Sequence, residues 1–498
     1  MRHVITAAIL GLCVAAPEGA AAQVEPQPVL WGQALREDAQ ALHDMIAENH
    51  PGTIDAANPA FNASLETGLA LALDRAQTAD SYSAWRAALT EYASSFDDGH
   101  LGLTNIKDNP EPTLVRWPGF LVGLRSTPGG DRYEVVFSRD AAATPIGAIL
   151  EACDGRPADA LGREVIGREV GRWSLRSTRV SHAIWTLVDA GNPYVRRPEQ
   201  CDFTIDGRTA RHTLSWRALD PVDRDAGIAA AGGERFTAST TIRPWARGLW
   251  IELGDFDADS RTPEGQNLTN LLADTEARVA ELRAAPLLVF DLRGNNGGSS
   301  TWISNLAKTI WGADYFDAHA ASSASIDWRA SPDNLAKLES YRDQFSSQPD
   351  TLAYLNRLID GMKAARAAGS PLFHERVKAT QTTSTSLVNP VVGKAYVLTD
   401  YGCASACLDA VDILTDLGAV QLGQETSADT LYNEIRYMPL PSGRATAYVP
   451  MKVYRESSRA NNEPAVPAHI WSGLMTDTAG IEKWIAHLNE SNQRASPF

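Results

Sequence analysis

Two stretches of this chain pass from an unbroken apolar run, through polar and glycine-rich positions, into an apolar period of helical spacing. In the first, Leu287–Phe290 is followed by the turn residues Arg293–Gly298 and then by Ile303, Leu306 and Ile310. In the second, Tyr396–Leu398 leads through a short turn to Leu408, Val411, Leu414 and Leu417, and the helix stops at Gly418. A short run with no polar alternation predicts a strand covered on both faces, as in a parallel sheet. Two adjacent strand–turn–helix units would bring two helix N-termini, with their unpaired N–H groups, to one carboxyl edge of that sheet. The expected fold class is therefore α/β, with a cleft at that edge suited to an oxyanion.

The flanking patterns are of two other kinds. Leu35, Ala39, Leu42 and Ile46 share one helical face, and further helices are expected over Phe61–Leu73 and Tyr82–Tyr92, giving an N-terminal helical domain at 23–112. It ends in Asp97-Asp98-Gly99-His100-Leu101-Gly102-Leu103, where Gly99 breaks the helix and the two leucines alternate as in a strand. Residues 113–220 read as a β-rich domain, with strands at Tyr133–Phe137, Gly147–Cys153 and Asp202–Ile205 and turns at Asp154-Gly155 and Asp206-Gly207. A linker is expected at 221–245, and the α/β core at 246–498. Within the core, Thr262-Pro263 caps a helix, and residues 312–390 form an insertion whose helices start at Ser331-Pro332 and carry Leu352, Leu355, Leu358 and Met362. That insertion is either a cover over the cleft or a structural excursion. Asp255–Asp259 lacks the glycine and closing glutamate of a calcium loop and reads as a plain loop.

Composition narrows the setting. Arg2, the apolar stretch Val4–Ala16 and Ala20-Ala21-Ala22 before Gln23 predict a secretory signal peptide over 1–22, cut after Ala22, and a periplasmic or secreted protein. No other stretch reaches the roughly 18 apolar residues of a spanning helix, so no integral membrane segment is expected. A formal charge of −16 disfavours nucleic acid as a partner. Cys13 leaves with the signal peptide, and the remaining four cysteines suit an oxidising compartment. Cys153 and Cys201 share the β-rich domain and can pair. Cys403 and Cys407 flank Ser405 at i, i+4, either as a disulfide bracing the turn or as two neighbouring thiols. Neither fits a zinc framework, and no metal or cofactor is expected.

Ser405 stands at the mouth of the second turn. It is either a nucleophile whose following N–H groups face the cleft, or a helix N-cap. Gly297 and Gly298 either admit backbone close to a ligand or simply make a turn. A serine nucleophile needs a base, and His100 and Glu463, taken alone, read as a structural histidine and a solvated charge.

The stretches VFDLRGNNGG and TDYGCASACLDAVDIL resemble the two signature segments of the tail-specific (C-terminal processing) serine peptidases, the family that includes the tricorn-like proteases. The resemblance implies a crotonase/ClpP-like α/β core, Ser405 as nucleophile, and an oxyanion hole from the N–H of Ala406 and a glycine of the Gly297/Gly298 pair. Many members use a lysine beyond the serine; Asp429 stands in its place here, which disfavours a Ser/Lys dyad and leaves Asp429 dispensable. The tricorn-like branch uses a histidine and a glutamate instead. DDGHLGL and Arg459–Pro464 resemble those two segments, which makes His100 the base and Glu463 the residue that orients it. Gly99 occupies the position of a second serine in that pattern, with neighbouring Asp98 as the alternative for that member. Gly147–Gly155 resembles a strand and turn of a PDZ-like domain, of the kind that binds peptide ends by strand addition. The implied activity is peptide-bond hydrolysis of peptide or protein substrates. The competing implication is a non-catalytic scaffold for a peptide or apolar ligand, as in the retinoid-binding protein of the eye. An acyl-CoA enzyme with similar paired turns is disfavoured by the expected export. Oligomeric state is not legible.

Overall fold

The computed structural model describes residues 29–110, 113–127, 130–232, 236–246, 248–257, 259–320, 325–376, 387–455 and 459–495, so the expected signal peptide lies outside the described residues. Three helices come first: α1 (Trp31–Asn49), α2 (Phe61–Arg75) and α3 (Tyr82–Ser94). Leu35, Leu42, Ile46, Trp85 and Leu89 are buried between them, which is the periodic apolar face of the sequence. A loop then leads through His100 to the short strand β1 (Gly102–Thr104).

The next segment builds an antiparallel sheet from β2 (Phe120–Thr127), β3 (Gly130–Ser138), β4 (Ile149–Cys153), β5 (Gln200–Ile205) and β6 (Arg208–Thr213). Cys153 lies opposite Cys201 across β4 and β5, and the two are joined by a disulfide buried under the sheet. Replacing both by serine is expected to cost roughly 2–4 kcal/mol of stability, read as a lowered urea midpoint, because the bridge closes a long loop in the unfolded chain.

The expected linker at 221–245 is largely ordered structure. Pro221–Ala231 form helix α4, capped by the Asp220 carboxylate on the Val222 N–H and ended by Gly232 in the left-handed region at φ 82°. The Asp-Pro start and glycine stop were the signals that its Gly/Ala-rich composition masked. Thr241–Trp245 then form β7, paired with β8 (Gly248–Glu252).

Further along come α5 (Pro263–Ala277), β9 (Leu287–Asp291) and α6 (Thr301–Trp311). The expected insertion adds β10 (Ser325–Arg329), α7 (Pro332–Gln344), α8 (Pro349–Ala367) and β11 (Leu372–Arg376). After β12 (Lys394–Thr399), α9 (Ala406–Asp416) and β13 (Val420–Gly423), the chain ends with β14 (Ala428–Asp429), β15 (Tyr432–Pro439), β16 (Thr446–Arg455), β17 (Glu463–Pro464), β18 (His469–Ile470) and α10 (Thr478–Ala495).

The core sheet runs β7-β8-β9-β12-β13-β18, parallel throughout except for the β7–β8 hairpin. All five residues of β9 are buried. Ile251, Phe290 and Val397 face Ile303, Leu306, Val411 and Leu414 of α6 and α9. Trp250, Val289, Tyr396 and Leu398 face Ile481 and Ile485 of α10 on the other side. Because β9 and β12 are adjacent and parallel, with Asp291 opposite Leu398, their turns leave the same edge side by side.

A second, antiparallel sheet joins the two ends of the chain. β1 pairs with β16, β16 with β10 and β15, and β10 with β11. Its apolar residues Ala447, Val449 and Val453 share a core with the N-terminal helices. The described part of the expected insertion is thus tied into this sheet through β10 and β11, with Trp328, Leu338, Leu355 and Met362 packed beside Met451.

Candidate active site

The first turn is fixed by charge. Asp291, at the end of β9, holds Arg293 through three hydrogen bonds of 2.6–3.1 Å and also accepts the Trp250 indole N–H at 3.0 Å. Arg293 and Asp291 are both fully buried, and Arg293 donates onward to the Met475 carbonyl at 2.6 Å, just ahead of α10. Asn295 is buried in the same turn, donates to the Gly254 carbonyl and accepts the Gly297 N–H at 2.8 Å. One residue ties the two turns together: Asp400 accepts the Gly294 N–H from the first and the Gly402 N–H from the second. Burial pushes its carboxyl above the ordinary range, against the pull of those two N–H groups.

Ser405 immediately precedes α9 with φ 54° and ψ −129°, and its side chain makes no capping bond. A non-glycine residue in that region is strained, and the sharp turn lifts the hydroxyl out of the strand-to-helix path. The N-cap alternative therefore falls. Cys403 and Cys407 are joined in a disulfide that brackets Ser405, and both are fully buried. Gly297, at φ 100°, lies so close that an added Cβ would come within 2.7 Å of the Ser405 Cβ and 2.9 Å of the Ala406 nitrogen. Gly298, at φ 127°, is pressed on its other side against the Phe256 carbonyl, 1.9 Å from where a Cβ would stand. The Gly297 N–H is committed to Asn295, whereas the Gly298 and Ala406 N–H groups have no acceptor among the described residues. The free donors at this edge are accordingly Gly298 and Ala406, and Gly297 contributes close approach.

His100 sits in the loop between α3 and β1, its side chain 14% exposed. Its Nδ1 lies 2.8 Å from the Tyr432 carbonyl oxygen. A carbonyl only accepts, so Nδ1 carries the proton and, in the neutral ring, Nε2 is left as the basic nitrogen. Asp429 is the carboxylate beside it, with Oδ1 at 3.5 Å from Nδ1. Burial pushes the Asp429 carboxyl up, and the charge of His100 pulls it back.

Glu463 departs from its expected place. It lies directly across the two-residue ladder from Asp429, but its carboxylate is exposed and accepts the Ala460 N–H at 2.7 Å. The segment around it does reach the histidine loop: Asn462 donates to the Asp97 carbonyl and Asn461 accepts the Leu431 N–H. Asp429, expected to be dispensable, is the residue next to the imidazole. The Arg172 guanidinium donates to the carbonyl of the preceding residue, Ala428, at 2.6 Å. That guanidinium also lies against Gly99, where an added Cβ would meet it at 2.8 Å, so a serine at position 99 would require the Arg172 side chain to shift. Tyr432, Asp400, Asn295 and Arg172 carry no signal in spacing or periodicity. Of these, Asp400 and Asn295 lie inside the two signature stretches.

Residues 250–471 match the family model of peptidase family S41. No curated protein matches the sequence at a significant level. Among solved structures, mature CPAF is similar in fold, with 13% identity over 93% of this chain and 99% of that one and a TM-score of 0.55. CPAF complexed with lactacystin gives 13% identity, 93% and 100% coverage and 0.53. A serine-to-alanine cpaf mutant gives 12%, 92% and 98%, and 0.56. Among the described residues no helix is long and apolar enough to cross a membrane.

Proposed function

We propose that this serine-type peptidase, whose residues 250–471 belong to peptidase family S41, cleaves peptide bonds through an acyl-enzyme on Ser405 with His100 as the base. The observation that carries the reading is the Ser405 backbone: a strained, uncapped serine at a helix start, packed against Gly297. In the proposed cycle, Nε2 of His100 takes the Ser405 proton as Oγ attacks the substrate carbonyl, then returns it to the leaving amine. The Tyr432 carbonyl holds the ring in the required tautomer, and Asp429 stabilises the imidazolium that forms. Developing negative charge on the carbonyl oxygen would be met by the Ala406 and Gly298 N–H groups and by the N-terminal end of α9.

Peptide or protein chains are the proposed substrates. The sheet β2–β6 is proposed as a PDZ-like unit that recruits them by strand addition, and the units 23–112, 113–220 and 246–498 as the domains. Export to the periplasm or beyond is supported by the two disulfides.

The test is hydrolysis of an unstructured protein such as casein, with variants at the three polar positions. His100→Ala is expected to lower kcat by about 10³-fold or more, and Asp429→Asn by roughly 10- to 100-fold. Glu463→Gln should stay within about twofold of wild type, as expected of an exposed charge. Full activity in Asp429→Asn together with a collapse in Glu463→Gln would return the orienting role to Glu463.

A further inference from the structure

Behind His100 lies a polar group that the mechanism above does not use. The Asp98 carboxylate is almost fully buried, its side chain 2% exposed, and it takes three donors from three parts of the chain. Oδ1 accepts the backbone N–H of His100 at 2.8 Å and the Thr430 hydroxyl at 2.6 Å. Oδ2 lies 3.0 Å from Nε2 of His50, which caps the end of α1. The other nitrogen of His50 accepts the Gly52 N–H at 2.8 Å, so Nε2 carries the proton and donates to Asp98. The His50 ring is itself stacked on Phe61, with centroids 4.4 Å apart, and stands edge-on to the Tyr432 ring at 4.7 Å.

These contacts form a closed circuit. Asp98 fixes the backbone of the residue that carries the base, and through Thr430 it fixes the segment whose Tyr432 carbonyl selects the tautomer of that base. His50 orients Asp98 and supports the Tyr432 ring from the opposite side. We propose that Asp98, with His50 and Thr430, is a positioning residue for His100, setting the reach and tautomer of the imidazole without touching substrate. A bare buried carboxylate would be costly, and one with three donors is held rigidly. Burial keeps the His50 ring below its ordinary value despite the pull of Asp98, so it is neutral. Burial alone would raise Asp98, yet the hydrogen bonds it accepts, from His50 first and from Thr430, help to hold the carboxyl below its ordinary range.

This inference rests on the Ser405–His100 mechanism and is tested by the rate at which a fluorophosphonate modifies Ser405, followed by intact-protein mass. The full-length mature protein is used, with circular dichroism and thermal midpoints recorded for each variant. Asp98→Asn keeps the shape and one accepting oxygen but turns a donor toward the His50 donor. It is expected to slow labelling between roughly ten- and a hundredfold, the scale of a small misplacement of a catalytic group. The loss should fall on the maximal rate and leave the half-saturating probe concentration within about twofold, a split that general loosening of the fold would not produce. Thr430→Val should slow labelling, and Thr430→Ser, which restores the hydroxyl, should recover it. If Asp98→Asn does not fold, His50→Phe keeps an aromatic ring in place and removes the donor to Asp98, together with the acceptor of the Gly52 N–H; slower labelling supports the inference and a wild-type rate overturns it. Wild-type labelling in folded Asp98→Asn or Thr430→Val overturns the inference alone. An unlabelled wild type overturns the underlying mechanism, and the inference with it.

Discussion

Ser405→Ala is expected to abolish peptide hydrolysis, with a loss in kcat of at least about 10⁴-fold, while the protein folds as before. The loss follows from chemistry: the Tyr401 hydroxyl of the same turn is bonded to Arg176, and the neighbouring Ser300 is bonded to Asp409. The intact fold follows from the backbone. Alanine tolerates φ 54° no better and no worse than serine, so the strain is unchanged. Ser405→Gly separates the two effects more sharply. It should be equally inactive yet more stable by about 1 kcal/mol, because glycine adopts this conformation without a Cβ penalty. Turnover retained in either variant would remove Ser405 from the mechanism. An inactive Ser405→Gly with a lower thermal midpoint than wild type would mean that the turn is not strained.

Arg293→Met is expected to show the largest effect on stability, about 3–5 kcal/mol, read from urea midpoints with unchanged slope. Most of the ion pairs here involve exposed side chains, whose loss costs about 1 kcal/mol or less. Arg293 and Asp291 are both fully out of water. Removing the guanidinium leaves Asp291 a buried charge with the Trp250 N–H as its remaining side-chain donor, and it frees the start of α10 from the Met475 contact. The guanidinium also lies 3.7 Å over the Phe236 ring. Because the same pair begins the turn that carries Gly297 and Gly298, slower labelling of Ser405 should accompany the loss of stability. A variant within about 1 kcal/mol of wild type would show that methionine repacks the site, as apolar replacements of buried pairs can.

What could be read from the sequence was what repeats or what turns. The β9 and β12 strands announced themselves because both faces are buried, and the helices around Leu35 and Leu408 because their apolar positions recur on one face. Ser405 and His100 were singled out because their segments resemble the family signatures; taken alone, the one read equally as a helix cap and the other as a structural histidine. The ladder between β14 and β17 brought the Asp429 and Glu463 segments together, yet the choice between the two carboxylates turned on rotamers that no spacing encodes. The acceptor of the imidazole proton is a backbone carbonyl, Tyr432, and every residue has one. His50, Asp98 and Thr430 meet only after the chain has folded back on itself, so nothing in their local patterns joins them.

The pairing of β1 with β16 has a consequence in time as well as in space. The proposed base, His100, is made early in synthesis and the proposed nucleophile, Ser405, late, and the Tyr432 carbonyl that meets the imidazole later still. A ribosome-bound chain holds His100 without the Tyr432 carbonyl and Asp429 beside it. On the proposed mechanism, hydrolysis therefore requires the last strands to close onto the first helices, and a copy that ends before Tyr432 lacks the carbonyl that Nδ1 of His100 meets.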